Sequence, residues 1–179
     1  HLAIGRRVAI KLIDREHSKN EETAARFRRE ARAAGRVESS HIVHVFDVGN
    51  DPTFGVYLVM EFLNGPSLKQ QLDTHGPFDF AYVCRVLSQI ASALDLAHSQ
   101  GVVHRDLKPG NVMTHGYTTG EVVHKVIDFG IGALQGSKAP GLGPDLASTS
   151  STREDRVLLT VAYASPEQLK GEVIDRRTD

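Results

Sequence analysis

At 179 residues the chain is the size of one ordinary domain, long enough for a sizeable core. Hydrophobic residues make up 40% and charged residues 24%, which excludes a fibrous or disordered chain. The formal net charge of -1 gives no electrostatic ground for nucleic acid or an anionic membrane as a partner. The one cysteine, Cys84, cannot form an internal disulfide and reads as a small core hydrophobe. No apolar stretch approaches the roughly 20 residues that span a bilayer, so no membrane segment is expected in this chain. No signal peptide is expected within this chain. It starts at His1, almost directly in a strand, and is expected to be a piece of something longer.

In chain order, Val8 to Ile13 is a β-branched run and predicts a strand. Ser18 to Asn20 can cap a helix beginning at Glu21. From Glu21 to about Val37, Phe27, Ala31 and Ala34 fall at i, i+4 and i+7, one face of that helix. Glu30 lies beside that face. Ile42 to Val48 predicts a second strand and Val56 to Phe62 a third, with a turn at Asn50, Asp51 and Pro52 between them. Asn64, Gly65 and Pro66 stop the third strand. A hinge between two unequal parts is expected near Leu63 to Gly65. Asp79 can cap a long helix carrying Val83, Leu87, Ile90, Leu94 and Ala97, with Gly101 as its stop. After Gly130 a Gly-, Pro-, Ser- and Thr-rich stretch runs to about Thr152 without periodicity, and loops of that length are functional or mobile. Strands in the first third followed by helix predict an α+β arrangement.

The chemistry concentrates in His104-Arg105-Asp106-Leu107-Lys108-Pro109-Gly110-Asn111 and in Asp128-Phe129-Gly130. Asp106, Asn111 and Asp128 carry oxygen ligands, and Lys108 is a nearby cation. Pro109 and Gly110 forbid a regular helix between them, so a rigid loop presents the group. Hard oxygen ligands with a cation suit Mg²⁺ and a polyphosphate. Phosphoryl transfer needs placement of a nucleophile and neutralisation of phosphate charge more than covalent chemistry.

These residues resemble the protein kinase family. The loop is similar to the H-R-D-x-x-x-x-N catalytic loop, and Asp128-Phe129-Gly130 to D-F-G. Val8-Ala9-Ile10-Lys11 is similar to the V-A-I-K strand, and Ser165-Pro166-Glu167 stands where the family has A-P-E. Each motif alone is weak; four in order at family spacing are specific. Phe27-Arg28-Arg29-Glu30-Ala31 and Ala164-Ser165-Pro166-Glu167-Gln168 look most like the bacterial branch of the eukaryotic-type serine/threonine kinases. The resemblance covers Val8 to Asp179 and implies a partial two-lobe kinase fold, with 1–63 in the small lobe and 64–179 in the first part of the large lobe.

The resemblance implies ATP and Mg²⁺ as cofactors. Lys11 is then expected on the α- and β-phosphates, held by an ion pair with Glu30. Asp106 is expected to accept or orient the substrate hydroxyl proton, and Lys108 to offset charge on the moving phosphoryl group. Asn111 and Asp128 are expected to hold the metal. Met60 backs the adenine pocket, the backbone of Glu61 and Leu63 bonds the adenine edge, and Ala9 and Met113 cover the ring faces. Lys108 and Pro109 after the aspartate match the serine/threonine class. Arg105 is expected to meet a phosphorylated activation loop, with Ser148, Thr149, Ser150, Ser151 and Thr152 as sites modified in trans by a second copy in a homodimer. Thr160 lines the docking site of a protein substrate, Asp179 anchors the catalytic loop, and His104 packs under Phe129. The expected setting is cytoplasmic, including the cytoplasmic part of a longer membrane-anchored protein.

Three departures stand out. The glycine-rich loop before the V-A-I-K strand is absent, and Gly141 to Leu146 imitates it only as loop punctuation. The chain stops at Asp179, where a further helix is expected to begin, so an apolar face of the Asp79 to Ser99 helix should be exposed. Leu159 stands before Thr160, where the family often has glycine. The competing expectations are a pseudokinase or interaction module, and an inactive fragment. Lys11, Asp106, Asn111 and Asp128 together argue against the first.

Overall fold

The computed structural model describes residues 5–12, 21–129 and 162–179. The expected cap at Ser18 to Asn20, the Gly- and Ser-rich stretch after Phe129, Leu159 and Thr160 lie outside the described residues.

The first part is a three-stranded antiparallel sheet with one helix. Strand β1 is Val8–Leu12, helix α1 is Glu21–Ala34, β2 is Val45–Asp51 and β3 is Gly55–Glu61. The sheet order is β1-β3-β2, with Ala9 opposite Met60 and Lys11 opposite Leu58. Along β3, Val56, Leu58 and Met60 are buried, the alternation of a strand with one covered face. They share a core with Ala24, Phe27 and Ala31 of α1, so the apolar stripe read from the sequence is the face that meets the sheet. Strand β2 starts later and runs further than its apolar pattern predicts. Register slips between Val45 and Asp47 in a bulge, and Asn50 and Asp51 pair with Val56 and Gly55 instead of turning. The turn falls beyond them, where the Asp51 carboxylate accepts from the N–H groups of Thr53 (2.7 Å) and Phe54 (3.0 Å).

The second part is built on helix α3, Phe80–Ser99. Asp79 caps it by accepting from Tyr82 N–H at 2.8 Å, and Gly101 ends it at φ 75°, as expected. Its buried residues are Val86, Ile90, Ala93, Leu94 and Ala97, packed with Leu68, Val112, Val126 and Phe129. That face is rotated from the expected one. Leu87 is 58% exposed and Cys84 is exposed rather than in the core. The helix is apolar on more than one side, and the tertiary contacts choose the side. By length and composition alone α3 passes as a bilayer-crossing helix, with an 18-residue window of mean hydropathy 1.2, so the sequence holds a longer apolar stretch than expected, though core helices pass the same test. It carries Arg85 and Asp95, and its buried face lines this core.

Helix α2, Leu68–His75, and strands β4, Val112–Gly116, and β5, Val122–Val126, were not foreseen. Helix α2 begins with a capping box in which Ser67 Oγ accepts from Gln70 N–H and Gln70 Oε1 accepts from Ser67 N–H. Strands β4 and β5 form an antiparallel hairpin. It joins the α1 region through Val43 N–H to Val126 O at 2.9 Å and Val126 N–H to His41 O at 2.8 Å.

The connection after β3 is clasped to that hairpin. Gly65 N–H donates to Thr114 O, and Thr114 N–H donates to Pro66 O. The Asn64 side chain bonds both the N–H and the carbonyl of Gly116, at 2.9 Å each. A Cβ at residue 65 would lie 2.6 Å from Thr114 O, so only glycine allows this approach.

Candidate active site

The loop from His104 to Asn111 runs between α3 and β4, and its geometry is set from below. The Asp179 carboxylate accepts from His104 N–H (2.6 Å) and Arg105 N–H (2.7 Å), and it also meets His98 Nε2 at 2.9 Å. It therefore anchors the loop as expected. His104 is fully buried, edge-on to Phe129 at 4.8 Å between ring centroids. Its Nε2 donates to Ile127 O at 2.8 Å and its Nδ1 accepts from Asp106 N–H at 3.2 Å, so the ring is neutral with the proton on Nε2. Burial pushes its pKa down, against the opposing pull of the Ile127 carbonyl and the carboxylates of Asp179, Asp106 and Asp128. It is a strut, not a base.

Arg105 and Asp128 are the two described non-glycine residues in the left-handed region, at φ 68° and 65°. Such residues cluster at functional sites. Between them the candidate catalytic groups converge. Lys108 Nζ donates to Asp106 Oδ1 (2.9 Å) and Oδ2 (2.7 Å). Asn111 Nδ2 donates to Asp106 O (2.7 Å) and Oδ2 (2.9 Å). That commits the Asn111 amide nitrogen and leaves its oxygen as the ligand atom. The Asn111 carbonyl accepts from Ile127 N–H at 2.9 Å, which puts Asn111 beside Asp128. An amide oxygen and a carboxylate rooted together form a donor set suited to a hard divalent cation.

Lys11 and Glu30 are not paired as expected. Lys11 Nζ meets Asp128 Oδ2 at 2.7 Å, and Glu30 Oε1 meets Arg105 at 3.4 Å. Asp128, at φ 65°, thus has its carboxylate on Lys11 of β1. The Glu30 carboxylate, 15% exposed, lies instead beside the Arg105 guanidinium. Arg105, expected to meet a phosphorylated loop, is in this arrangement on Glu30; Ser148, Thr149, Ser150, Ser151 and Thr152 lie outside the described residues.

Ala9, Met60, Leu63 and Met113 fall in one apolar cluster with Ile127, so the expected adenine-pocket residues are brought together. Glu61 N–H donates to His44 O at 2.9 Å, so of that peptide only the carbonyl could face a ligand. Two contacts at the site's edges were not foreseen. Lys125, on β5, is buried against the Glu61 carboxylate at 2.5 Å. Gln168 Nε2 donates to Arg105 O at 2.6 Å. A lysine in a β-branched run carries no local sign of burial. Gln168 did leave a sign, since Ser165-x-x-Gln168 reads as a capping box.

A strand sheet with one helix, joined through a clasped connection to a helical part, with an Asp–Lys–Asn loop facing a second aspartate, defines a protein kinase catalytic core. The chain matches the protein kinase domain over residues 1–179 and belongs to that family. It is 37% identical over 178 residues to the serine/threonine-protein kinase Pkn3 of Myxococcus xanthus, covering 99% of this chain and 31% of that protein. It is 34% identical over 178 residues to the serine/threonine-protein kinase PrkC of Bacillus subtilis, covering 99% of this chain and 25% of that protein. Its fold is similar to the crystal structure of the Mycobacterium tuberculosis PknI kinase domain, with a TM-score of 0.70 and 27% identity over 96% of this chain and 58% of that one. The chain thus spans about a quarter to a third of the length of these curated relatives.

Proposed function

We propose that the protein transfers the γ-phosphoryl group of ATP to serine or threonine hydroxyls of other proteins, with Mg²⁺ at Asn111 and Asp128. The observation that carries this is the Asp106 carboxylate, held by both Lys108 and Asn111 next to Asp128. The named relatives, both serine/threonine-protein kinases, support it.

When bound, Mg·ATP supplies the phosphoryl group and the divalent charge that its oxygens need. Asp106 orients the substrate hydroxyl. As the hydroxyl oxygen bonds to the γ-phosphorus, the bond to the β–γ bridging oxygen breaks, ADP leaves, and the hydroxyl proton passes to Asp106. Lys108, already on Asp106, neutralises charge on the phosphoryl oxygens. Lys11 and Glu30 are in a resting arrangement: for transfer, Lys11 exchanges Asp128 for the α- and β-phosphates, and Glu30 exchanges Arg105 for Lys11. Arg105 is then free to take a phosphate on the segment holding Ser148 to Thr152, placed there in trans by a second copy. The two lobes divide at Leu63 to Gly65, Thr160 lines the protein-substrate site, and the domain works in the cytoplasm.

The test is transfer of labelled γ-phosphate from Mg·ATP to a basic protein and to the protein itself, using the full chain as its gene encodes it beside Asp106→Asn. Asp106→Asn should lower transfer by about 10²-fold or more. Equal transfer by the two would sink the assignment of Asp106. ATP binding without transfer by either would favour the pseudokinase reading.

A further inference from the structure

Arg105 is a non-glycine residue in the left-handed region, and the reacting Asp106 is its neighbour. The peptide unit joining them is held at both ends. Its N–H, that of Asp106, donates to His104 Nδ1 at 3.2 Å. Its carbonyl, that of Arg105, accepts from Gln168 Nε2 at 2.6 Å. Gln168 lies 63 positions away, on the short helix α4, Pro166–Lys170. Its side chain does not wander there. Gln168 Oε1 accepts from Ser165 N–H at 2.9 Å, and Gln168 N–H donates to Ser165 Oγ at 3.4 Å. The capping box fixes the amide oxygen inward, so the amide nitrogen points outward to Arg105.

We infer that Gln168 is a positioning residue for phosphoryl transfer: its amide N–H clasps the Arg105 carbonyl, fixes the plane of the Arg105–Asp106 peptide, and so links the ordering of residues 162–171 to the placement of the Asp106 carboxylate. The inference rests on the proposed role of Asp106. A carbonyl only accepts, so residue 168 must donate. Glutamate at this position would keep the capping box, which accepts Glu as well as Gln, yet offers no donor to Arg105 at neutral pH. Gln168→Glu therefore separates the clasp from the helix cap. Gln168→Met removes both at similar length.

The experiment uses the full chain and its Gln168→Glu and Gln168→Met variants. Steady-state transfer gives kcat and KM for ATP, thermal unfolding gives the melting temperature, and hydrogen exchange reads the backbone amide of Asp106. Gln168→Glu should lower kcat about ten-fold or more, since small misplacements of a reacting group cost up to ~10²-fold, with KM for ATP unchanged. Its melting temperature should stay close to that of the parent, while exchange at Asp106 quickens. Gln168→Met should show the same kcat loss plus a lower melting temperature. An unchanged kcat with unchanged exchange in Gln168→Glu overturns the inference. So does a kcat loss in Gln168→Met alone that tracks its melting temperature, which would make the residue a helix cap and nothing more. If the parent protein transfers no phosphate, the kinase reading fails by itself, and exchange at Asp106 still decides whether the clasp exists.

Discussion

Lys125→Met should be strongly destabilising. The Lys125 side chain is 6% exposed and that of its partner Glu61 is 16% exposed, with the charges 2.5 Å apart. The contact is close but off the hydrogen-bonding angle for Glu61 Oε1, so Coulomb attraction holds it rather than an aligned hydrogen bond. Removing one partner leaves a carboxylate in a site from which water is largely shut out. Breaking a buried pair in this way costs about 3–5 kcal/mol. For a domain of this size each kcal/mol lowers the melting temperature by roughly 2–4 °C, so Lys125→Met should melt roughly 6–20 °C lower. Replacing both residues removes the stranded charge. Lys125→Met with Glu61→Met should therefore regain most of the loss, because apolar replacement of a buried pair is often neutral or stabilising. The assay is a double-mutant cycle read by thermal and urea unfolding. A Lys125→Met loss below about 1 kcal/mol, or additive effects of the two changes, would refute the argument, because only exposed or independent groups behave that way.

Phe27→Ala, at a side chain 1% exposed between α1 and the sheet, should cost about 3–5 kcal/mol in urea unfolding. Asp179→Ala removes an acceptor shared by two loop N–H groups; each such bond to a charged group is worth about 1.5–3 kcal/mol, and kcat should fall with KM for ATP little changed in the transfer assay. His104 and His124 both have pKa values pushed below 6.5, in each case first by burial and, for His124, also by Arg85 and His41. Both fold neutral while the unfolded chain takes protons near pH 6.5, so their stability contribution is full above that pH and is lost as pH falls below it toward the folded values. The melting temperature should be flat from roughly pH 8 to 7 and decline below roughly pH 6.5; a rise on acidification would contradict the sign.

Local pattern carried much of the fold. Phe27, Ala31 and Ala34 announced α1, Val56 to Phe62 announced β3 to within a residue at each end, and Asp79 with Gly101 bounded α3. What failed had physical causes. Helix α3 is apolar on several sides, so Leu87 and Cys84 could be placed only by the contacts around Val86 and Ala93. Strand β2 was mis-set because a bulge at Val45 to Asp47 carries no compositional mark. The catalytic loop was legible because its residue types crowd into eight positions. Its partners were not: Lys11 with Asp128, Glu30 with Arg105 and Gln168 with the Arg105 carbonyl join segments distant in sequence, and no local pattern marks such pairs.

The clasp of Asn64, Gly65 and Pro66 onto β4 has a mechanical consequence. A connection pinned by backbone bonds, with a glycine that tolerates no added carbon, is not a flexible strap along its length. Those three residues ride with the hairpin as one solid piece. Movement of the β-sheet against the hairpin must then be taken up outside these three residues, just upstream at Phe62 and Leu63 and, on the other connection, between Val43 and the start of β2. Because Met60 and Leu63 belong to the apolar cluster with Ala9 and Met113, a turn of the chain at Phe62 and Leu63 would also shift that cluster.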